Sequence, residues 1–191
     1  MSFDNQNPEI RRVERIIGNK IALRGVAITD AEFILSLRTD PKKSAFLSSV
    51  KGDLESQQKW IENYLSGSGQ AYFIIEDANG RSVGTVRVYG AREDSFCWGS
   101  WIVVEGAPTA VSVESALLVY KFGLDLLGFK SAHFEVDKRN TSVWAFHERF
   151  GAKRVEETDI EYKYVIDESS IRASLDRYKR FLPGQIEVRE I

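Results

Sequence analysis

The sequence predicts a mixed α/β domain, with one sheet covered by helices on both faces. Two observations carry this. Strand-like and helix-period stretches run in the order strand, two helices, three strands, helix, strand, helix, strands, helix. Hydrophobic residues make up 43% of the 191, enough for one core, and charged residues make up 28%.

Residues 1–17 are polar and read as a loose arm or short helix. The run from Lys20 to Val26 reads as the first strand. Thr29 caps a helical stretch that stops before Pro41. Ala45, Phe46 and Leu47 form a short apolar island. Leu54, Ile61 and Tyr64 recur at helical spacing from Asp53 to Leu65, ended by Ser-Gly-Ser-Gly. Ala71–Ile75 is an apolar strand, and the turn 77–80 leads into Ser82–Gly90 as a hairpin. Phe96–Val104 is the next strand. From Ser112 to Leu127, Val113, Ala116, Leu117, Tyr120, Leu124 and Leu127 make one helical stripe. Ala132, Phe134 and Val136 alternate with His133 and Glu135 on a further strand. A short helix runs from Thr141 to Phe150, stopped by Gly151. Two strands lie between Lys153 and Ile166. A last helix, Ser169 to Leu182, places Ile171, Leu175, Tyr178 and Phe181 on one side.

Composition excludes several classes. Twenty-six basic against 28 acidic residues give a net charge of -2, without the basic surplus of a nucleic-acid binder. No apolar run reaches the roughly 18–20 residues of a membrane span. The polar start lacks a secretory apolar segment, so a cytoplasmic setting is expected. One cysteine, Cys97, and two distant histidines leave no internal disulfide and no metal-ligand spacing.

Residues 98–152 hold the most informative constellation. A strand meets the loop Ala107-Pro108-Thr109-Ala110-Val111-Ser112, which opens a long helix ending in Leu126-Leu127-Gly128. A second strand ends near Asn140, followed by a short helix and Gly151-Ala152. Leu23-Arg24 precedes a helix, Gln57 and Trp60 stand three apart, and Trp98-Gly99 lies on the central strand. In this order of elements, residues 18–166 resemble the GNAT superfamily of acetyl-CoA-dependent acetyltransferases. The nearest subgroup contains ribosomal-protein N-terminal and nucleotide-aminosugar acetyltransferases.

The resemblance implies a mostly antiparallel sheet of about seven strands, splayed in a V between the fourth and fifth to admit acetyl-CoA. It divides the chain into an arm (1–17), the acetyltransferase domain (18–166) and a C-terminal helix and tail (167–191). It implies that Ile102 and Val104 pair with the pantetheine, and that Thr109, Ala110, Val111, Ser112 and Val113 cradle the pyrophosphate. Backbone N–H groups at a helix start suit that anion. The family's glycines are absent, Ala107 stands for its Arg or Gln, and Pro108 removes one donor. A Ser- or Thr-capped helix start is the plainer alternative.

Asn140 either contacts the coenzyme arm or caps its helix. His147 stands where the family often has a thiolate-protonating tyrosine; as the acid it would act as imidazolium, and otherwise it packs at the helix edge. Trp60 and Trp98 are candidate substrate walls or core residues. Glu135 is a candidate base or ammonium ligand, or else a solvated carboxylate. The expected reaction is acetyl transfer to a small-molecule amine, such as a nucleotide-linked amino sugar, without a metal. The alternatives are acetylation of a protein N-terminus, or coenzyme binding without turnover. The last helix covers its own domain or a second subunit in a homodimer.

Overall fold

A computed structural model describes residues 7–46 and 52–191; Leu47 of the apolar island and residues 1–6 of the arm lie outside them. One nine-stranded sheet organises the described residues. Its strands are β1 (Arg15–Ile17), β2 (Ile21–Gly25), β3 (Ala71–Asp77), β4 (Ser82–Arg92), β5 (Ser95–Val103), β6 (Ser131–Asp137), β7 (Lys153–Glu157), β8 (Glu161–Asp167) and β9 (Glu187–Arg189). They lie in the order β7-β8-β6-β5-β4-β3-β2-β1-β9. Every pairing is antiparallel except β5 with β6.

Two strands exceed the seven expected. Residues 15–17 form a strand beside β2 rather than a loose arm, and β9 from the C-terminal tail pairs with its other side as the sheet edge. The buried carboxylate of Glu114 holds the β1–β2 turn by accepting from the backbone N–H groups of Asn19 and Lys20. That carboxyl sits above its ordinary range because burial disfavours its charge.

Helices α1 (Ala31–Thr39), α2 (Pro41–Ser44) and α3 (Leu54–Ser66) come between β2 and β3. Pro41 ends α1 as expected and then opens α2, whose first turn Asp40 caps through the Lys42 N–H at 2.9 Å. Asp53 caps α3 by accepting from the Ser56 N–H at 2.7 Å. Ile61 and Tyr64 of α3 are buried, but Leu54 is exposed and Gln57 takes the inward place. With Ile34, Tyr72 and Ile74 they form the smaller core on one sheet face.

The larger core lies on the other face, around α4 (Thr109–Lys121). Pro108 sets the start of α4 three residues earlier than expected. From Glu114 to Tyr120 this helix is buried on every side, so the apolar pattern is wider than one stripe. It runs on into a wide turn, Phe122–Leu126, and stops at Gly128, whose φ is +84°. Gly123 of that turn faces the Phe96 ring so closely that a Cβ would overlap it. Gly123→Ala is therefore expected to destabilise the protein by about 1–3 kcal/mol. Calorimetric melting should show a drop of roughly 2–10 °C, and an unchanged melting temperature would contradict this packing.

Helix α5 (Thr141–Arg149) and helix α6 (Glu168–Arg177) complete that layer. Ile171 and Ser174 of α6 are buried, and the Ser174 hydroxyl donates to the Phe150 carbonyl at 2.6 Å. The last helix thus docks on its own domain. It ends at Arg177, earlier than expected, and a short 3-10 turn (Lys179–Phe181) follows.

Candidate active site

The site is built on the divergence of β5 and β6. The two strands pair only at Ser95–Ser131, Phe96–Ala132 and Cys97–His133. Beyond Cys97 they separate. A bulge in β5 contributes: Arg87 faces Gly99 and Thr85 faces Ile102, so one residue of β4 opposes two of β5. Ser100 in the bulge has a φ of +48°, and the Thr85 hydroxyl donates to its carbonyl at 2.8 Å.

Two cavities flank the gap. One, of about 620 Å³, lies over the sheet face that carries Arg87, Tyr89, His133, Glu135 and Lys163. The other, of about 120 Å³, lies on the α5 side and is lined by Trp101, Val136, Asn140 and His147. Both are lined by Trp98, Gly99, Ser100, Phe134 and Glu135, the residues of the gap itself. The arrangement therefore offers one ligand site on each side of the sheet and a passage between them.

His147 is buried among rings. Its centroid is 4.0 Å from Phe134, 5.1 Å from Trp98 and 5.9 Å from Phe146. Its Nδ1 is buried without a hydrogen-bond partner among the described residues. Burial pushes its pKa down to about 3, so the ring is neutral at pH 7. An imidazolium acid is thereby replaced by a neutral imidazole, which can donate or accept a hydrogen bond. An orphaned polar atom in a cavity wall is what a ligand group would satisfy.

The same burial predicts a pH dependence. The unfolded imidazole titrates near 6.5, above the folded one. The stability gained from keeping it neutral is full above pH 6.5 and is lost as pH falls towards 3. The slope from this group is at most about 1.4 kcal/mol per pH unit. His147→Phe removes that proton uptake. Its melting temperature should fall less than the wild type's between pH 7 and pH 4.5; equal falls would show that His147 protonates freely.

Asn140 precedes α5 but does not cap it through its side chain. Among the described residues its carboxamide accepts a 3.5 Å contact from the Ser142 hydroxyl. The amide is left largely uncommitted beside the α5-side cavity.

The start of α4 carries no side-chain cap. The Val111 N–H donates to the Pro108 carbonyl at 2.9 Å and its side chain is buried in the core. Ser112 and Val113 lie inside the helical ladder, so their N–H groups point back into α4. Thr109 and Ala110 are the positions whose N–H groups face outward, with the Thr109 and Ser112 hydroxyls nearby. An uncapped start of a long helix fits a pyrophosphate.

The backbone groups of Ile102 and Val104, the strand residues expected to meet the pantetheine, are committed within the protein. The Val104 N–H donates to the Val83 carbonyl at 2.9 Å, and Val104 accepts from the Ala107 N–H. By the antiparallel alternation, Ile102 opposite Thr85 also turns its polar groups towards β4. Trp101 and Val103 turn theirs towards the gap, and the Lys43 ammonium already reaches the Val103 carbonyl.

Trp98 is buried at the gap, as a wall of both cavities. Trp60 is not part of either: it lies half-exposed on α3, stacked on Tyr64 and edge-on to Tyr72. Among the described residues its link to the site is Arg87, whose Cζ lies 5.5 Å from its ring. Glu135 is exposed on β6 and lines both cavities. Among the described residues no group of three or more His, Cys, Asp or Glu side chains could hold a metal.

Sequence reasoning missed Arg87, Tyr89 and Arg92. The signal was available in β4, where Val86 and Val88 alternate with Arg87 and Tyr89 and are buried.

Residues 20–153 match the family profile described as the Acetyltransferase (GNAT) domain. Among solved structures, apo FdhC, described as a nucleotide-linked sugar GNAT, is 39% identical. The match covers 94% of this chain and 99% of that one, with a TM-score of 0.78. A GCN5-related N-acetyltransferase from Brucella melitensis is 14% identical over 95% of this chain and 91% of its own, with a TM-score of 0.77. Spermidine N-acetyltransferase from Vibrio cholerae, in complex with CoA and spermine, is 15% identical over 80% and 98%, with a TM-score of 0.71. No curated protein matches in sequence.

Proposed function

Because this chain belongs to the GNAT family of acetyl-CoA-dependent acetyltransferases, we propose that it acetylates the amine of a nucleotide-linked amino sugar, with both substrates meeting in the gap between β5 and β6. The observation that carries this reading is the pair of cavities on opposite sheet faces, joined at Trp98–Ser100 and Phe134–Glu135. The 39% identity to a nucleotide-linked sugar GNAT over nearly the whole length of both chains supports the acceptor class.

Acetyl-CoA supplies an activated acyl group on a thiolate that leaves with little acid assistance. The protein's residues do the rest. The Thr109 and Ala110 N–H groups hold the pyrophosphate at the positive end of α4. Trp101 and Val103 present backbone groups along the gap, and Lys43 must release the Val103 carbonyl for a ligand to pair there. The Asn140 carboxamide binds the coenzyme arm. His147, neutral in its ring cage, gives one hydrogen bond and excludes water. On the opposite face, Glu135 orients the acceptor ammonium and takes its proton.

Thiol release from acetyl-CoA over an amine panel tests the reading. Nucleotide-linked amino sugars should turn over fastest, ahead of free amino sugars, polyamines and N-terminal peptides. Turnover confined to peptides, or none, would overturn it.

A further inference from the structure

We propose that Arg87 and Arg92, either side of Tyr89 on β4, form an anion subsite that holds the diphosphate of the acceptor. This rests on the reading of the acceptor as a nucleotide-linked amino sugar.

The register places the groups. Arg87, Tyr89 and Arg92 stand opposite Gly99, Cys97 and Ser95 of β5, and Cys97 stands beside His133 of β6. Paired residues share a sheet face, so these side chains and Glu135 rise on one side. All of them border the 620 Å³ cavity except Ser95.

The charges in that cavity are sorted by wall. Glu135 of β6 and Glu156 and Glu161 of β7 and β8 form one wall; Arg87 and Arg92 form the other, and Arg38 of α1 also lines the cavity. β4 and β6 are two strand spacings apart, about 10 Å. Lys163, on the acidic side, is neutralised by Glu156 at 2.8 Å. Arg87 and Arg92 form no salt bridge among the described residues, although the chain carries 28 acidic side chains.

Arg87 is held by rings instead. Its Cζ lies 4.3 Å from the Tyr89 centroid and 5.5 Å from that of Trp60, and its Nε is buried without a hydrogen-bond partner. A flat guanidinium fixed in this way beside Tyr89 can turn its remaining donors to a phosphate. A cavity cationic on one wall and acidic on the other fits a ligand with an anion at one end and an ammonium at the other. A nucleotide-linked amino sugar has that polarity: the diphosphate meets Arg87 and Arg92, and the amine meets Glu135 beside the gap.

Coenzyme A carries its own pyrophosphate, so the test uses protein saturated with CoA. Calorimetric titration with uridine diphosphate and with inorganic pyrophosphate should show binding, and Arg92→Ala should weaken it at least tenfold. Arg87→Lys, which keeps the charge but loses the fork, should weaken it severalfold without lowering the melting temperature. CoA affinity should be unchanged in both. Absence of binding by the saturated wild type, or equal affinity in the variants, would overturn the subsite. The kinetics separate the two ideas. If nucleotide-linked amino sugars turn over with the same KM in Arg92→Ala, the subsite fails and the acceptor stands. If they do not turn over while the variants still lose the diphosphate, the acceptor fails and the subsite stands.

Discussion

Glu135→Gln is expected to lower kcat/KM for the amine by about 10²–10³-fold, the usual contribution of a positioned base. Glu135 lines both cavities at the gap and makes no hydrogen bond or ion pair with the described residues. Its exposure on β6 keeps it free of the core, so the amide variant should melt with the wild type. The sign with pH follows from the amine. As pH rises, more of the acceptor is already neutral and needs no base, so the loss should shrink. A constant loss at every pH would contradict a role for Glu135 on the acceptor ammonium. An unchanged kcat/KM would remove it from the site.

Ala110→Phe is expected to weaken acetyl-CoA binding by about 10–10²-fold, the worth of one or two charge-assisted hydrogen bonds. Ala110 is half-buried at the first turn of α4, where no side chain caps the helix. A phenyl ring there would cover the N–H groups of Thr109 and Ala110 and keep phosphates from the backbone. Because these positions precede the buried stretch beginning at Glu114, the fold should persist. Calorimetric titration with CoA reads the effect. Equal affinity in a folded variant would move the pyrophosphate away from α4.

The fold was legible where period and burial agree. Ala132, Phe134 and Val136 alternate in the sequence and are all buried in β6. The short strands β1 and β9 were not legible: three-residue segments such as Arg15–Ile17 carry no period, and β1 is fixed by pairing with β2 on one side and with the returning tail on the other. Pro108 misled in a similar way. It reads as a missing donor, yet as the residue before α4 it leaves the N–H groups of Thr109 and Ala110 without a competing cap.

At the site, the family resemblance points to Asn140 and His147 and strand alternation to Glu135, and the structure brings all three to the α5-side cavity. What the sequence could not supply was phase. A single bulge at Ser100 decides which backbone groups of β5 face the gap, and it shifts them from Ile102 and Val104 to Trp101 and Val103. Nor could composition foretell His147's charge. Its neutrality comes from Phe134, Trp98 and Phe146, which lie on three separate elements. The motif spacing points to Trp60, but the turn of α3 carries it behind Arg87, outside the two cavities at the gap.

The central claim is that coenzyme and acceptor approach from opposite faces of the sheet and meet between β5 and β6. A crystal structure with CoA and the N-acetylated product bound tests it most directly. The account predicts the sulfur between Trp98–Ser100 and Phe134–Val136, the pyrophosphate at the Thr109 and Ala110 N–H groups, and the product on the Glu135 face. Coenzyme and product lying on one face, or a sulfur outside the gap, would contradict it.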